Sequence, residues 1–222
     1  VTAFSQTPMK TAAEAKLSAS DLAVKIADRI LATTTYEFKN TKTGKTYKSV
    51  KNLPLDMNVK VACKYNNWHY TNGVTHIALM ELADKTGAKK YDDYVLKNMN
   101  FVFNEGNLDF FKKQYDQAMK NEGWYGVRKL SWHMIFRGKR LDDNGPMGAS
   151  LIDLQMKHPN NSFLNYINET AEHLNYGEPR LADGTIARIW PHENTIWADD
   201  AFMAISFLAR MAKMTGDMSY IN

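Results

Sequence analysis

Along most of the chain apolar residues recur every three or four positions, the period of an amphipathic helix, and turn residues cut the runs. DLAVKIADRILATT, from Asp21 to Thr34, sets Leu22, Ile26 and Ile30 four apart on one face, with Ser20 or Asp21 placed to cap its start. VTHIALMELADKTG ends at Gly87, a residue that suits the position just past a helix. KYDDYVLKNMNFVFN, LDFFKKQYDQAMKN, PMGASLIDLQMKH and SFLNYINETAEHLN follow, and WADDAFMAISFLARMAKMTG stops at Gly216. Strand-like alternation is nearly absent, so only small β pieces are expected, near 36–50 and 181–190. The polar, threonine-rich stretch from Lys39 to Lys51, centred on Gly44, reads as a loop or small hairpin. The pattern predicts an all-α protein.

The helical runs are also copies of one another. WHYTNGVTHIALMELADKTGAKKY (68–91) lies on WADDAFMAISFLARMAKMTGDMSY (197–220) without a gap, at an offset of 197 − 68 = 129. Trp68 meets Trp197, Leu79 meets Leu208, Thr86-Gly87 meets Thr215-Gly216, and Tyr91 meets Tyr220. A third copy, LDDNGPMGASLIDLQMKHPNNSF (141–163), fits at 199 − 142 = 57, with Asp142-Asp143 on Asp199-Asp200. Each unit is a polar or aromatic opening, a helix, a tight turn and an aromatic that starts the next helix. Such hairpins must stack to bury their apolar faces, in a solenoid or in a closed toroid. The copies stand 142 − 70 = 72 and then 57 residues apart, which is too uneven for a short-repeat solenoid and favours the toroid. The pattern breaks off at Asn222, where a further helix is due. Residues 1–19 are therefore expected to be a polar leader, and 20–222 the N-terminal part of a single barrel domain.

Composition narrows the function. The 222 residues carry a net charge of only +4, with the basic residues dispersed, which argues against nucleic acid as a partner and permits an anionic small substrate. The one cysteine, Cys63, excludes a disulfide within the chain and reads as a core thiol beside Val61 and Ala62. No run of about 18 apolar residues is present, so no membrane span is expected. The opening stretch VTAFSQTPMKTAAEAKLSASD has no apolar signal core, and is compatible with what remains after a signal is removed. Localisation stays open, with a periplasmic or secreted place favoured; oligomeric state is open as well.

The chemistry gathers at one slot of the repeat. Tyr70, Asp142 and Asp199 all stand at the N-terminal end of a unit's first helix, and in a toroid those ends converge on one face. An aspartate at a helix start is ordinarily a cap that complements the dipole. Both aspartates are doubled, however, so one member of each pair can cap while the other faces a pocket. Two facing carboxylates push each other's pKa values apart, which yields an acid and a base. WHMIFRGKRLDD brings Trp132, His133, Arg137 and Arg140 ahead of Asp142; DGTIARIWPHENTIWADD brings Arg188, Trp190, His192 and Trp197 ahead of Asp199. Aromatics with carboxylates and a few cations suit a sugar site, although core packing competes for each tryptophan. The sequence has no two-histidine zinc spacing, no glycine-rich phosphate loop after a strand, no Gly-x-Ser-x-Gly elbow and no recognisable metal site.

At these residues the chain resembles the unsaturated glucuronyl and rhamnogalacturonyl hydrolases, glycoside hydrolase families 88 and 105, and is nearer to family 105. The motifs are WHYTNG (68–73), RLDDNGPMGASL (140–151), DGTIARIWPHENTIWADDAFM (183–203) and FLARMAKMTGDMSY (207–220). The resemblance implies an (α/α)6 barrel that removes a 4,5-unsaturated uronic acid from lyase-generated oligosaccharides, with no metal or organic cofactor. It implies hydration of the C4=C5 vinyl ether rather than displacement at the anomeric carbon, outside the usual two-carboxylate scheme. Asp199 in WADDAFM matches the family's general acid/base, and Asp142 in RLDD its second essential aspartate. Trp197 matches a stacking aromatic and Tyr70 a pocket tyrosine, while Arg188 stands where some members have a histidine that contacts the sugar. His192, Trp132 and His133 are further candidate contacts. An acid at Asp199 must be protonated near neutral pH, so an apolar neighbourhood is expected there, with Asp200 as the structural partner. The competing reading is a non-catalytic helical-repeat module that binds a glycan or a partner protein.

Overall fold

The structure, a computed structural model, describes residues 18–103, 106–137 and 140–221. Helix α1 (Ala19–Thr33) leads into a small antiparallel sheet of β1 (Phe38–Asn40), β2 (Thr46–Tyr47) and β3 (Val59–Val61), ordered β2-β1-β3. Among the described residues six α-helices follow: α2 (Tyr70–Thr86), α3 (Lys90–Phe103), α4 (Asn107–Val127), α5 (Leu141–Lys157), α6 (Asn161–Glu172) and α7 (Ala198–Thr215). The fold is mostly helical, as the periodicity predicts. The β1–β2 hairpin falls in the expected 36–50 window, whereas β3 lies outside it. Within the described residues the 181–190 window holds isolated bridges, Arg180 with Ile186 and Arg188 with Thr195, rather than a strand.

Local chemistry sets the helix ends. The N-cap of α1 is Ser18, not Ser20 or Asp21. The Asp21 backbone N–H donates to the Ser18 hydroxyl at 3.1 Å, and that hydroxyl donates to the Asp21 carboxylate at 2.6 Å, so Asp21 is the reciprocal member of a capping box. The expected leader lies outside the described residues up to residue 17. Helices α2 and α7 end at Gly87 and Gly216, whose φ of +71° and +77° place them in the left-handed region that glycine enters without strain. Helix α5 begins at Leu141 rather than at Pro146, which lies inside it. At the sixth helical position its missing N–H leaves the Asp142 carbonyl without the usual bond from within the helix.

Helix α5 packs between α2 and α7. The three run parallel, because their N-terminal turns meet. Gly73 of α2 lies on the Pro146-Met147 backbone of α5; Gly145 of α5 lies on the backbone of Met203 in α7, and Gly148 lies under the Phe207 ring. A Cβ on Gly73 would stand 2.5 Å from the Met147 nitrogen, so glycine is what permits this approach. Helix α3 packs on α2, and α6 packs on α5. The three sequence copies are therefore neighbouring helices of one wall, backed by outer helices, which is part of a helical toroid. Phe38, Trp68, Phe111, Phe163 and Phe207 are buried in its core. Of the α1 stripe, Ile30 is half-buried, Leu22 is exposed, and Ile26 is exposed along an open apolar groove shared with Val74 and Leu82.

His76 of α2 is buried, and among the described residues neither ring nitrogen has a hydrogen-bond partner. Burial pushes its pKa down to about 4. A histidine held neutral in the folded chain protonates first in the unfolded one, so its contribution is present above pH 6.5 and lost as pH falls towards 4. The wild type is expected to lose roughly 3 kcal/mol against His76→Leu across that window. Urea unfolding of both proteins at stepped pH measures this; a pH-independent difference would show that the ring is not held neutral.

Candidate active site

The N-terminal turns of α2, α5 and α7 carry Tyr70, Asp142 and Asp199, and the structure separates the roles within each aspartate pair. In α7 the second member, Asp200, is buried and accepts the Trp197 backbone N–H at 2.8 Å, closing the helix start. It also accepts from Arg188 Nε at 2.7 Å. Burial alone would raise the Asp200 carboxyl, but these hydrogen bonds outweigh it and hold the group below the usual aspartate range. Asp199, one residue earlier, is exposed. The apolar surroundings implied by TIWADDAFM thus belong to Asp200, and the expectation that they enclose Asp199 is corrected: at the third helical position a side chain folds back over the cap, while the second points outward.

Helix α5 repeats the division. Asp143 is buried, with its carboxylate 2.7 Å from Arg137 Nε in an ion pair whose geometry is not that of a hydrogen bond. Burial pushes its pKa up to about 6 against the pull of Arg137. Asp142 is half-buried and accepts from Arg188 Nη2 at 3.0 Å. Arg188 therefore ties the start of α5 to the start of α7. Its pKa is raised first by the Asp200 hydrogen bond, then by the charges of Asp142, Asp200 and Asp199, and its guanidinium stacks 4.2 Å from the centre of the Trp197 ring.

Tyr70 and Trp197 are both partly exposed at this end, and the His69 ring lies 4.6 Å from that of Tyr70. Burial lowers the His69 pKa and the nearby Asp142 charge opposes it, which places His69 beside the carboxylates. A cavity of about 300 Å³ opens next to Asp142, Arg188 and Asp200, lined also by Arg140, Trp190 and the residues at the end of α6. Asp199 is not among its lining residues. His192 is exposed, accepts the Thr195 hydroxyl on its backbone carbonyl at 2.7 Å, and does not line this cavity. Trp132 is buried in the core, 6.0 Å from Phe111 in a stacked pair, so its indole is packing rather than pocket wall. His133 lines a neighbouring cavity, with its Nδ1 2.7 Å from the Leu130 carbonyl. Burial, aided by Arg137 and Arg128, keeps its pKa below the usual histidine value.

Two cavity residues were not foreseen from the sequence. His173 and Glu178 pair at 2.9 Å where the end of α6 widens into a π turn, His173–Gly177. Burial raises the Glu178 carboxyl, His173 draws it down, and Asp142 and Asp200 push it up again. No local motif marks this pair, because it lies outside the repeat. Among the described residues no cluster of three histidine, cysteine, aspartate or glutamate side chains is placed to hold a metal, and no helix is long and apolar enough to cross a membrane.

Parallel helix starts that present carboxylates, a shared arginine and exposed aromatic rings meet at one end of this helical-hairpin wall, an arrangement that suits a sugar. The chain belongs to glycosyl hydrolase family 88, whose family model matches residues 41–222, from the small sheet to the end of the chain. It is thus a glycoside hydrolase with a glycan as its substrate class. No curated protein matches the chain.

Proposed function

We propose that the protein removes a 4,5-unsaturated uronic acid from the non-reducing end of lyase-generated oligosaccharides, as the nearer likeness to family 105 implies. Asp142 and Asp199 carry this reading: they occupy one slot on adjacent parallel helices, with Arg188 among their charges. Asp199 gives its proton to C4 of the vinyl ether, leaving a cation shared by C5 and the ring oxygen. Water adds at C5 as the Asp199 carboxylate takes back a proton, and Asp142, held in place by Arg188, orients that water. The resulting hemiketal opens to a C5 ketone and a C1 hemiacetal, which collapses to release the remaining sugar; one water is consumed. Trp197 and Tyr70 supply the platform for the ring.

The test is loss of the C4=C5 ultraviolet absorbance when the intact protein meets unsaturated disaccharides from several lyase digests. A fall in absorbance matched by release of the second sugar is the expected result. No fall on any digest from folded protein would sink the reading and leave a glycan-binding module in its place.

A further inference from the structure

The end of α6 brings a titratable pair to the cavity that the repeat does not account for. There the Glu178 backbone N–H donates to the His173 carbonyl at 3.0 Å, five residues back across the π turn. The wider turn sets His173 Nε2 2.9 Å from Glu178 Oε1. Gly177 makes room for this, since a Cβ there would overlap the His173 ring at Nδ1. Both side chains are mostly buried, with 16 % and 9 % of their surface exposed, and both line the cavity beside Asp142 and Arg188. The fixed charges of that cavity do not balance. Asp142, Glu178 and Asp200 stand against Arg140 and Arg188. Arg180, the next cation on the loop, donates to the Leu174 and Gly184 carbonyls at 3.0 and 2.8 Å and does not line the cavity. On α7, Asp199 adds to the negative side through its charge on Arg188, and on α6 itself Glu169 and Glu172 are exposed. Arg188 bridges Asp142 and Asp200, whereas among the described residues the Glu178 carboxylate pairs with His173 alone. One proton shared by His173 and Glu178 brings the lining to neutrality. Without it the cavity carries one net negative charge and repels an anion.

We infer that His173 and Glu178 hold one proton between them, and that this proton lets the cavity admit an anionic sugar. The inference rests on the uronyl-hydrolase reading, in which the cavity takes the reacting uronate, and adds its control by pH. The charge of an incoming carboxylate favours the proton-bound pair, so binding takes up a proton from solution. As pH rises through the titration of the pair, the proton leaves and binding weakens. Burial, with the charges of Asp142 and Asp200, holds Glu178 above the ordinary glutamate value, which moves that titration towards neutral pH.

The test is calorimetric titration of an unsaturated uronyl disaccharide into Asp199→Asn protein, in two buffers of different ionisation enthalpy. The asparagine stops turnover and removes Asp199 as a rival proton acceptor. Proton uptake on binding is expected near neutral pH, with Kd weakening about tenfold between about pH 6 and about pH 9, the effect of one charge on another across a cavity. Adding Glu178→Gln is expected to abolish the uptake and flatten the pH dependence. Adding His173→Gln is expected to weaken binding about tenfold at neutral pH, because Glu178 then keeps its charge unpaired. A merely structural pair would lose binding alike in both variants, and that result overturns the inference. So does the absence of uptake in the Asp199→Asn parent, or uptake unchanged by Glu178→Gln. Circular dichroism checks folding, and the parent titration decides alone if a variant does not fold. Wild-type hydrolysis is read separately, from the ultraviolet absorbance. Hydrolysis without proton uptake overturns the pair and leaves the uronyl reading; proton-linked binding without hydrolysis keeps the pair and ends that reading; the absence of both ends both.

Discussion

Asparagine in place of Asp199 is expected to lower kcat on an unsaturated uronyl disaccharide by about 10²- to 10⁴-fold, the usual worth of a general acid, while the urea midpoint stays where it is. Asp199 is exposed in the first turn of α7 and takes no part in the cap, so replacing it by an isostere removes the proposed proton donor and little else. Asp200→Asn is expected to behave in the opposite way. That carboxylate is buried, accepts the Trp197 N–H and receives Arg188, so losing its charge leaves the guanidinium short of its main partner. A cost of about 2 kcal/mol in unfolding is expected, below the full penalty for a buried ion pair because Asp142 remains to hold Arg188. Measuring kcat and urea unfolding on both variants separates the roles. Full activity in Asp199→Asn, or equal destabilisation by the two changes, would show that the assignment within the pair is wrong.

Gly145→Ala is expected to cost at least about 3 kcal/mol, a large part of the stability a domain holds in reserve. The new methyl group would overlap the Met203 carbonyl and stand 2.8 Å from its carbon. Because the obstacle is helix backbone, no rotamer change relieves it, and α5 and α7 must move apart. Gly44→Ala is the control: nothing lies within 4 Å of the added carbon, and only the positive φ of +76° opposes it, a cost of about 1 kcal/mol. Soluble yield and urea midpoint read the contrast. A Gly145→Ala protein as stable as the Gly44→Ala control would mean that the two helices are not this close. Separation of α5 from α7 also pulls Asp142 away from Arg188 and Asp200, so any protein that folds is expected to lose activity as well.

Much of this architecture was legible along the chain. The helices of the wall show as a 3.6-residue period, and their ends at Gly87 and Gly216 show as glycines suited to a left-handed turn. The register of the copies placed Tyr70, Asp142 and Asp199 together because helices that stack in parallel carry equal positions to equal heights. Those signals are local, or repeat locally, and need no knowledge of distant contacts. The sequence also offered one member of each aspartate pair as a cap: Asp200 is one, whereas Asp143 pairs with Arg137 instead.

Distant packing decided the rest. Trp132 and Trp190 stand in similar aromatic and basic stretches, yet one is 1 % exposed and the other 64 %. Burial is a property of what arrives from elsewhere, here Phe111 and Trp68 against Trp132. The bridge from Arg188 to both Asp142 and Asp200, the His173–Glu178 pair behind it, and the cavity they share join residues far apart in sequence with no common motif. The sequence by itself determined the helices, their repeat and the slot that holds the acids. Only the tertiary structure decided which acid is buried, which aromatic rings meet solvent and which charges pair, because burial and charge pairing depend on the distances between segments once they are folded.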